Sequence, residues 1–316
     1  MAEDLPVEPN APDYRPADGR PFRLTLGLRS LDLRDWIEVD AHRAEELRLK
    51  AELLRTRHDE VVACRPAGEA PSRELFGLVA EHLLERFPGL VEREGGAIRD
   101  RQTGWLVDPD ALHPVDAAGR LVQEDLCLMV RQPEGWVLEA ASLCAPSRWT
   151  LAEKMGRTLL DVHEPVPGYA EVIGLPTDAM FDKFTPERPV WRVNWTILDR
   201  PELFQPAPEG RKTGGVGVTA ENAGEALTFR VERQTMRVLP RTRAVLFGIR
   251  TYVRPLAELA ADPLSAATLA ASLRATHPAF AAYKGWLGVQ EAALSYLDTR
   301  AQSGAAGTPG AQWAER

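Results

Sequence analysis

An α+β fold built on a five-stranded antiparallel sheet, with helices interposed between its second and third strands, is what the sequence predicts. Three observations carry this. Two strand-like runs, EDLCLMVRQ and GWVLEAASLC, flank the hairpin signal Pro133-Glu134-Gly135. A helical stretch with a marked start follows at 150–163. Three more strand-like runs then come in succession, at 189–198, 227–239 and 243–256. This order is not the strand–helix alternation of a parallel sheet.

Around that core, at 120–256, the remaining segments read as extensions. Residues 1–21 are acidic and proline-rich, a flexible or wrapping arm without the positive start and apolar stretch of a signal peptide. Residues 22–119 read as a mostly helical extension. In it FRLTLGLRSL is a short strand or edge segment, and a helix runs from about Asp40 to Arg57. A second helix is expected at 72–87, capped by Ser72, with Leu75, Val79, His82 and Leu83 on one face. A small hairpin is expected around Thr103-Gly104. Residues 206–225 form a polar loop, 257–302 return to helix, and 303–316 read as a disordered tail.

Composition narrows the class. Hydrophobic residues at 44% and charged residues at 27% mark an ordinary globular chain. A formal charge of −8 without any basic run argues against nucleic acid and against an anionic membrane surface. The longest apolar runs, such as AVLFGI at 244–249, are far too short to span a bilayer. Cys64, Cys127 and Cys144 lack metal-type spacing, and an odd count reads as reduced, buried thiols in the cytoplasm.

His163 raises the chemical question. Thr150 and Glu153 form a capping box, and Ala152, Met155, Leu159 and Val162 then share a face on which His163 follows four residues after Leu159. Pro165 lacks an amide donor and pushes Glu164 out of helical geometry, so the helix stops at about His163; Pro167 and Gly168 make a stiff exit. Two readings stay open. One is a partly buried histidine satisfied by nearby backbone. The other is a single axial ligand to a haem iron, which needs one protein nitrogen, an apolar wall and cations for the propionates. Arg148, Lys154 and Arg157 lie in the same stretch. Zinc is disfavoured, because no second His or Cys is near in sequence. Of the other histidines, His42 and His58 bracket a charged helix and read as solvated, and His82 fits a helix–helix interface. His113 and His277 each precede a proline, where turn geometry accounts for them.

Four segments carry a resemblance: RLVQEDLCLM, LCAPSRWTLAEKMGRTLLDVHEPVPGY, VWRVNWTILDRPELFQP and RVERQTMRVLPRTRAVLFGIRTYVRPL. Over roughly residues 22–260 the chain resembles the haem-binding alpha subunit of the haem-dependent oxidative N-demethylases, of the dimethylamine monooxygenase type. The resemblance implies a PAS-like fold holding haem b, with His163 as the iron ligand. It implies O₂- and NADPH-dependent conversion of a small secondary amine such as dimethylamine to methylamine and formaldehyde. Electrons would come from separate subunits carrying FMN and a 2Fe-2S cluster, and formaldehyde would pass towards tetrahydrofolate. Two positions depart from the family pattern: Ala145 stands where an aromatic residue is usual, and Gly248 replaces a small polar residue. Both bear on the substrate more than on the haem.

A small cationic amine calls for a carboxylate or an aromatic face. Along RVERQTM, Arg230, Glu232 and Gln234 share one strand face, with Val231, Arg233 and Thr235 on the other. Glu232 is the candidate counter-ion or proton acceptor; the competing reading is a cross-strand salt bridge with Arg192 or Arg250. Arg192, Asn194 and Thr196 form one polar face. Arg192 or Arg250 would hold a propionate or polarise dioxygen, and Tyr169 would donate a hydrogen bond or pack. The expected catalytic residues are therefore Glu232, Tyr169 and Arg250. The expected haem-binding residues are His163, Arg148, Lys154, Arg192 and Asn194. Cys144 has no surroundings that favour a thiolate ligand. GGVGVTA at 214–220 contains G-x-G-x-x-A but sits in a polar loop, and no Walker A, iron–sulfur, flavin or nicotinamide motif occurs. Electrons must then come from a partner. Two other classes stay open: a haem PAS-type gas or redox sensor without turnover, and a structural subunit without haem.

Overall fold

The structure is a computed structural model that describes residues 12–21, 26–207 and 214–305. Its strands are β1 (Arg29–Ser30), β2 (Val62–Cys64), β3 (Val91–Glu94), β4 (Ala97–Asp100), β5 (Leu106–Val107), β6 (Asp125–Gln132), β7 (Gly135–Ser142), β8 (Val190–Leu198), β9 (Thr228–Val238) and β10 (Val245–Pro255). The helices are α1 (Arg43–Thr56), α2 (His58–Val61), α3 (Glu69–Arg86), α4 (Pro114–Leu121), α5 (Leu151–Lys154), α6 (Leu159–Val162) and α7 (Leu175–Phe181). They continue with α8 (Ala223–Ala226), α9 (Leu256–Leu259), α10 (Pro263–Ala275), α11 (Pro278–Tyr283) and α12 (Gln290–Ala305).

The five expected strands are β6 to β10, and they lie side by side in the order β8-β9-β10-β6-β7, each pair antiparallel. The sheet is wider than five strands, because β1 adds to the β8 edge and β2 to the β7 edge, making seven. β1 falls inside the segment read as a strand or edge. β2 is only three residues long, too short to display an alternation in sequence. A separate sheet, β3-β4-β5, contains the expected hairpin around Thr103-Gly104.

One sheet face carries Leu126, Leu128, Ala140 and Leu246, which pack with Leu54, Val79 and Leu121 of the N-terminal helices. The other face carries Cys127, Met129, Leu138 and Met236 beneath α5 to α7. The C-terminal helices pack on β8 and β9 through Trp195, Ile197, Phe229 and Trp286. Of the N-terminal arm, residues 1–11 lie outside the described residues, as do 306–316 of the tail. Tyr14 packs its ring near Trp191 and Tyr252 and donates to Glu38 Oε1 at 2.6 Å. α12 runs to Ala305, slightly into the segment read as tail.

Three local expectations change. The single helix expected over 150–163 is two short ones, α5 and α6. The Glu153 carboxylate does accept from the Thr150 amide at 3.1 Å, but the chain leaves the helix at Gly156, φ 74°. There the β7 residue Leu138 accepts from Gly156 N–H at 2.9 Å and donates to Arg157 O at 3.1 Å, so edge pairing outcompetes a continuous helix. Thr158 then caps α6, accepting from Asp161 N–H at 3.2 Å. α3 begins at Glu69, and Ser72 is not its cap but lies in its first turn, donating to Gly68 O at 2.7 Å. His113 and His277 do more than precede prolines: each Nδ1 accepts from a helix-start amide, that of Val115 or Ala279, at 3.2 Å. His42 and His58 are exposed as expected, although His58 Nε2 reaches Asp116 at 3.0 Å. Cys127 and Cys144 are buried, whereas Cys64 is only half-buried.

His82 sits between the rings of Trp36 and Phe87, and its Nε2 is buried without a partner among the described residues. Burial, reinforced by Arg237 and Arg86, pushes its pKa down to about 4. The folded chain therefore binds fewer protons than the unfolded chain between pH 4 and 6.5, the ordinary value. The stability associated with neutral His82 is full above this window and is lost as pH falls through it. Replacing His82 with Leu should flatten the fall in unfolding free energy, read from urea titrations between pH 6.5 and 4, by up to about 1.4 kcal/mol per pH unit. Parallel pH profiles for the two proteins would place the titration elsewhere.

Candidate functional site

A cavity of ≈ 350 Å³ lies between the sheet and the α5–α7 segment. Its walls are mainly apolar, with Met129, Leu138, Met236, Phe247 and Ile249 on the sheet side and Leu159 and Val166 on the helical side. The Pro-rich exit from α6 shapes the opposite wall. His163 is the C-cap of α6, its carbonyl accepts from Val166 N–H at 2.9 Å, and the Val166 carbonyl accepts from Tyr169 N–H at 3.1 Å. Successive turns, completed by Gly168 at φ 70°, thus fold Tyr169 back onto the imidazole. The two rings are stacked, 4.4 Å between centroids and 7° from parallel. A π-helical turn, Ala170–Gly174, leads on to α7.

The His163 ring has a defined protonation. Nδ1 lies 2.8 Å from Leu159 O, and a carbonyl only accepts, so Nδ1 carries the proton. Nε2 is left with its lone pair. Burial pushes the pKa down to about 4; the Leu159 carbonyl opposes this, while Arg192 and Lys154 reinforce it. At neutral pH the ring is an uncharged imidazole on the cavity wall, the form in which histidine binds metals. The Tyr169 hydroxyl is buried and has no hydrogen-bond partner among the described residues.

The polar part of the cavity is on β8 and β9, whose register sets Asn194 opposite Glu232 and Arg192 opposite Gln234. Glu232 Oε2 accepts from Asn194 Nδ2 at 3.2 Å and from Gln234 Nε2 at 3.1 Å. Gln234 Oε1 accepts from Arg192 Nε at 2.7 Å. Glu232 has an ion-pair neighbour, but it is Arg230, at 3.7 Å, and not Arg192 or Arg250. Among the described residues Arg192 has no carboxylate within salt-bridge distance, and burial pushes its pKa down. Lys284, from the end of α11, donates to Asn194 Oδ1 at 3.1 Å and to Trp195 O at 2.6 Å.

Six of the eight expected site residues line this cavity: His163, Tyr169, Lys154, Arg192, Asn194 and Glu232. Lys154 Nζ donates to Val162 O at 2.7 Å, which ties α5 to the end of α6. Arg250 and Arg148 do not belong to it. Phe247 and Ile249 face the cavity, so the alternation along β10 turns Arg250 to the opposite face, where it pairs with Asp40 at 2.6 Å and Glu46 at 2.8 Å. Arg148 is held by Asp199 at 2.5 Å. Arg157 pairs with Glu164. Ala145 lines the cavity, whereas Gly248 faces away, and a Cβ there would stand 2.7 Å from Thr235 Oγ1. Burial pushes the Cys144 thiol up to about 12, in keeping with no thiolate.

Several lining residues had no sequence signal. Gln234 shares the alternation of Glu232 and was within reach of the pattern. Tyr283 and Lys284 come from a helix docked about ninety residues downstream of β8, and only tertiary packing brings them in. Asp125 supports the wall from behind: its two carboxylate oxygens accept from Cys144 N–H at 2.7 Å and Ala145 N–H at 2.8 Å. Elsewhere, ligand atoms of Cys64, Glu69 and His113 lie within 4.8 Å of one another. That set is not poised for a metal. His113 Nδ1 accepts from Val115 N–H, so Nε2 carries the proton, and burial pushes the Cys64 thiol up to about 11. Among the described residues no helix is long and apolar enough to cross a membrane.

The profile of one protein family, described as haem-dependent oxidative N-demethylase, alpha subunit-like, matches residues 27–294.

Replacing Asp125 with Asn should set an amide N–H against one of the two backbone donors it now satisfies. A loss of about 1–3 kcal/mol in denaturant unfolding is expected for a buried donor left unpaired. A variant as stable as the parent would show that the 144–145 turn does not need this carboxylate.

Proposed function

The chain belongs to the haem-dependent oxidative N-demethylase, alpha subunit-like family, and from that premise we propose that the cavity of a catalytic amine N-demethylase subunit would hold a b-type haem, with His163 as the protein's iron ligand. Membership makes the chain an oxidoreductase subunit that depends on haem. The finer reading is carried by one observation: a neutral, carbonyl-locked imidazole on the wall of an apolar cavity. The residues present fit the group. Nε2 is the nitrogen available to iron, the Met, Leu and Phe side chains suit a macrocycle, and Lys154 and Arg192 are the cavity cations suited to its carboxylates. The strand order β8-β9-β10-β6-β7, with helices between β7 and β8, supports a PAS-like core.

When bound, the haem supplies the redox chemistry by which O₂ oxidises the N-methyl group. The protein's own part is to bind, orient and exclude water. Glu232 receives the ammonium group of a small secondary amine such as dimethylamine and is placed to take its proton. Asn194 and Gln234 fix the direction of that carboxylate. Tyr169 holds the imidazole plane by stacking, and the Leu159 carbonyl keeps the proton on Nδ1. Ala145 makes one stretch of wall small. An alpha subunit implies other subunits. We assign the electron supply to them, from NADPH through FMN and a 2Fe-2S cluster, because the sequence contains no motif for any of these. Transfer of the formaldehyde to tetrahydrofolate belongs to the same partners.

Replacing His163 with Ala should abolish stoichiometric haem loading, read from the Soret band, and with it formaldehyde release from dimethylamine when a reductase and NADPH are supplied. A full Soret band in that variant would place the ligand elsewhere; haem loading without formaldehyde in the parent protein would point to a sensor. Replacing Glu232 with Gln should leave haem content intact and weaken the spectral response to dimethylamine at least about tenfold, the worth of one charge-assisted contact of about 1.4 kcal/mol. An unchanged titration would remove Glu232 from amine recognition.

A further inference from the structure

Arg192 and Lys284 both line the cavity beside Glu232, and each is linked to it through a neutral amide. Arg192 Nε donates to Gln234 Oε1 at 2.7 Å, and Gln234 Nε2 donates to Glu232 Oε2 at 3.1 Å. Lys284 Nζ donates to Asn194 Oδ1 at 3.1 Å, and Asn194 Nδ2 donates to the same Oε2 at 3.2 Å. The chemistry fixes both amide orientations, since the cations only donate and the carboxylate only accepts. Arg230, the third cation near Glu232, is fully buried; its Nε stands 3.7 Å from Glu232 Oε1, the oxygen the two amides leave free, and its terminal nitrogens are held by Leu203 O and Ala145 O.

This arrangement is unusual for its strand geometry. Arg192 lies opposite Gln234 and Asn194 opposite Glu232, so Arg192 and Glu232 are diagonal neighbours on adjacent antiparallel strands. Diagonal positions are within reach of long side chains, and a buried guanidinium beside a carboxylate ordinarily closes into a direct pair. Such a pair would neutralise both ends of the cavity. We infer that Gln234 is a positioning residue that holds Arg192 off Glu232, so that the cavity keeps a carboxylate for a cationic amine and, apart from it, a guanidinium for an anionic group. The inference rests on the reading of Glu232 as the amine's counter-ion.

The test is Gln234→Met in the haem-loaded protein, which keeps side-chain length and removes both hydrogen bonds. Haem content should be unchanged, while the midpoint of the dimethylamine spectral titration should rise about tenfold or more as Glu232 gains Arg192 as a second, direct guanidinium partner. A crystal structure of the variant should show the Arg192 guanidinium within about 4 Å of the Glu232 carboxylate. Adding Arg192→Met should restore amine binding wherever the double variant retains haem. An unchanged midpoint with Arg192 still apart from Glu232 would overturn the inference, and so would a weakened midpoint that removal of Arg192 fails to restore. Gln234→Leu gives the same readouts should the Met variant not fold. Glu232→Gln, titrated alongside, separates the two levels: if it alone leaves the response unchanged, the Glu232 reading fails. If it abolishes the response while Gln234→Met does not, only the role of Gln234 fails.

Discussion

On β8, β9 and β10, alternate side chains face the cavity, and this parity governs what chemistry is available there. It delivers Arg192 and Asn194 from β8, Glu232, Gln234 and Met236 from β9, and Phe247 and Ile249 from β10. The register between β9 and β10 runs unbroken from Val238↔Val245 to Thr228↔Pro255. A one-residue slip of β9 would send Arg233 into the cavity and expel Glu232. The long pairing makes such a shift costly, because it would break the whole ladder and both packed faces together.

The two faces handle buried charge differently. Away from the cavity, Arg250 pairs with Asp40 and Glu46, and Arg233 pairs with Glu38 at 3.1 Å while donating to the Trp36 carbonyl at 3.1 Å. Those arginines are matched by carboxylates, as buried cations must be to avoid a large desolvation cost. They tie the segment before α1 to the sheet. Towards the cavity, Arg192 is satisfied, among the described residues, by a neutral amide. Buried charge without a counter-charge is a feature of sites that receive one from a ligand.

His163 owes its properties to a short, over-determined piece of chain. α6 is one turn long, begun by the Thr158 cap and ended before Pro165. So short a helix has little stability of its own. Its position comes from the Val137–Thr158 bridge to β7, the Lys154 bond to the Val162 carbonyl, and the stacked Tyr169 ring. The imidazole is therefore oriented from several elements at once, which suits a ligand that must present one nitrogen in a fixed direction.

Much of this was legible in the residue pattern. The five core strands, the end of the helical stretch at His163 and the polar parity of β8 and β9 follow from local rules: period-two alternation, the missing amide of proline, and turn residues between runs. Parity along one strand also separates Glu232 from Arg233. It does not say which parity of a neighbouring strand shares that face, and so Arg250 was drawn to the wrong side. The continuous helix over 150–163 failed for a related reason, since the amide and carbonyl at 156–157 are claimed by Leu138, remote in sequence. Arg148 found Asp199, Asn194 found Lys284, and the Ala145 turn found Asp125, all through contacts between distant elements. Local sequence determines where the backbone bends and which residues alternate, because those are properties of a few adjacent dihedrals. Which charges meet is decided only when strands and helices are brought together, because hydrogen bonds and ion pairs act over a few ångströms and take no account of separation along the chain.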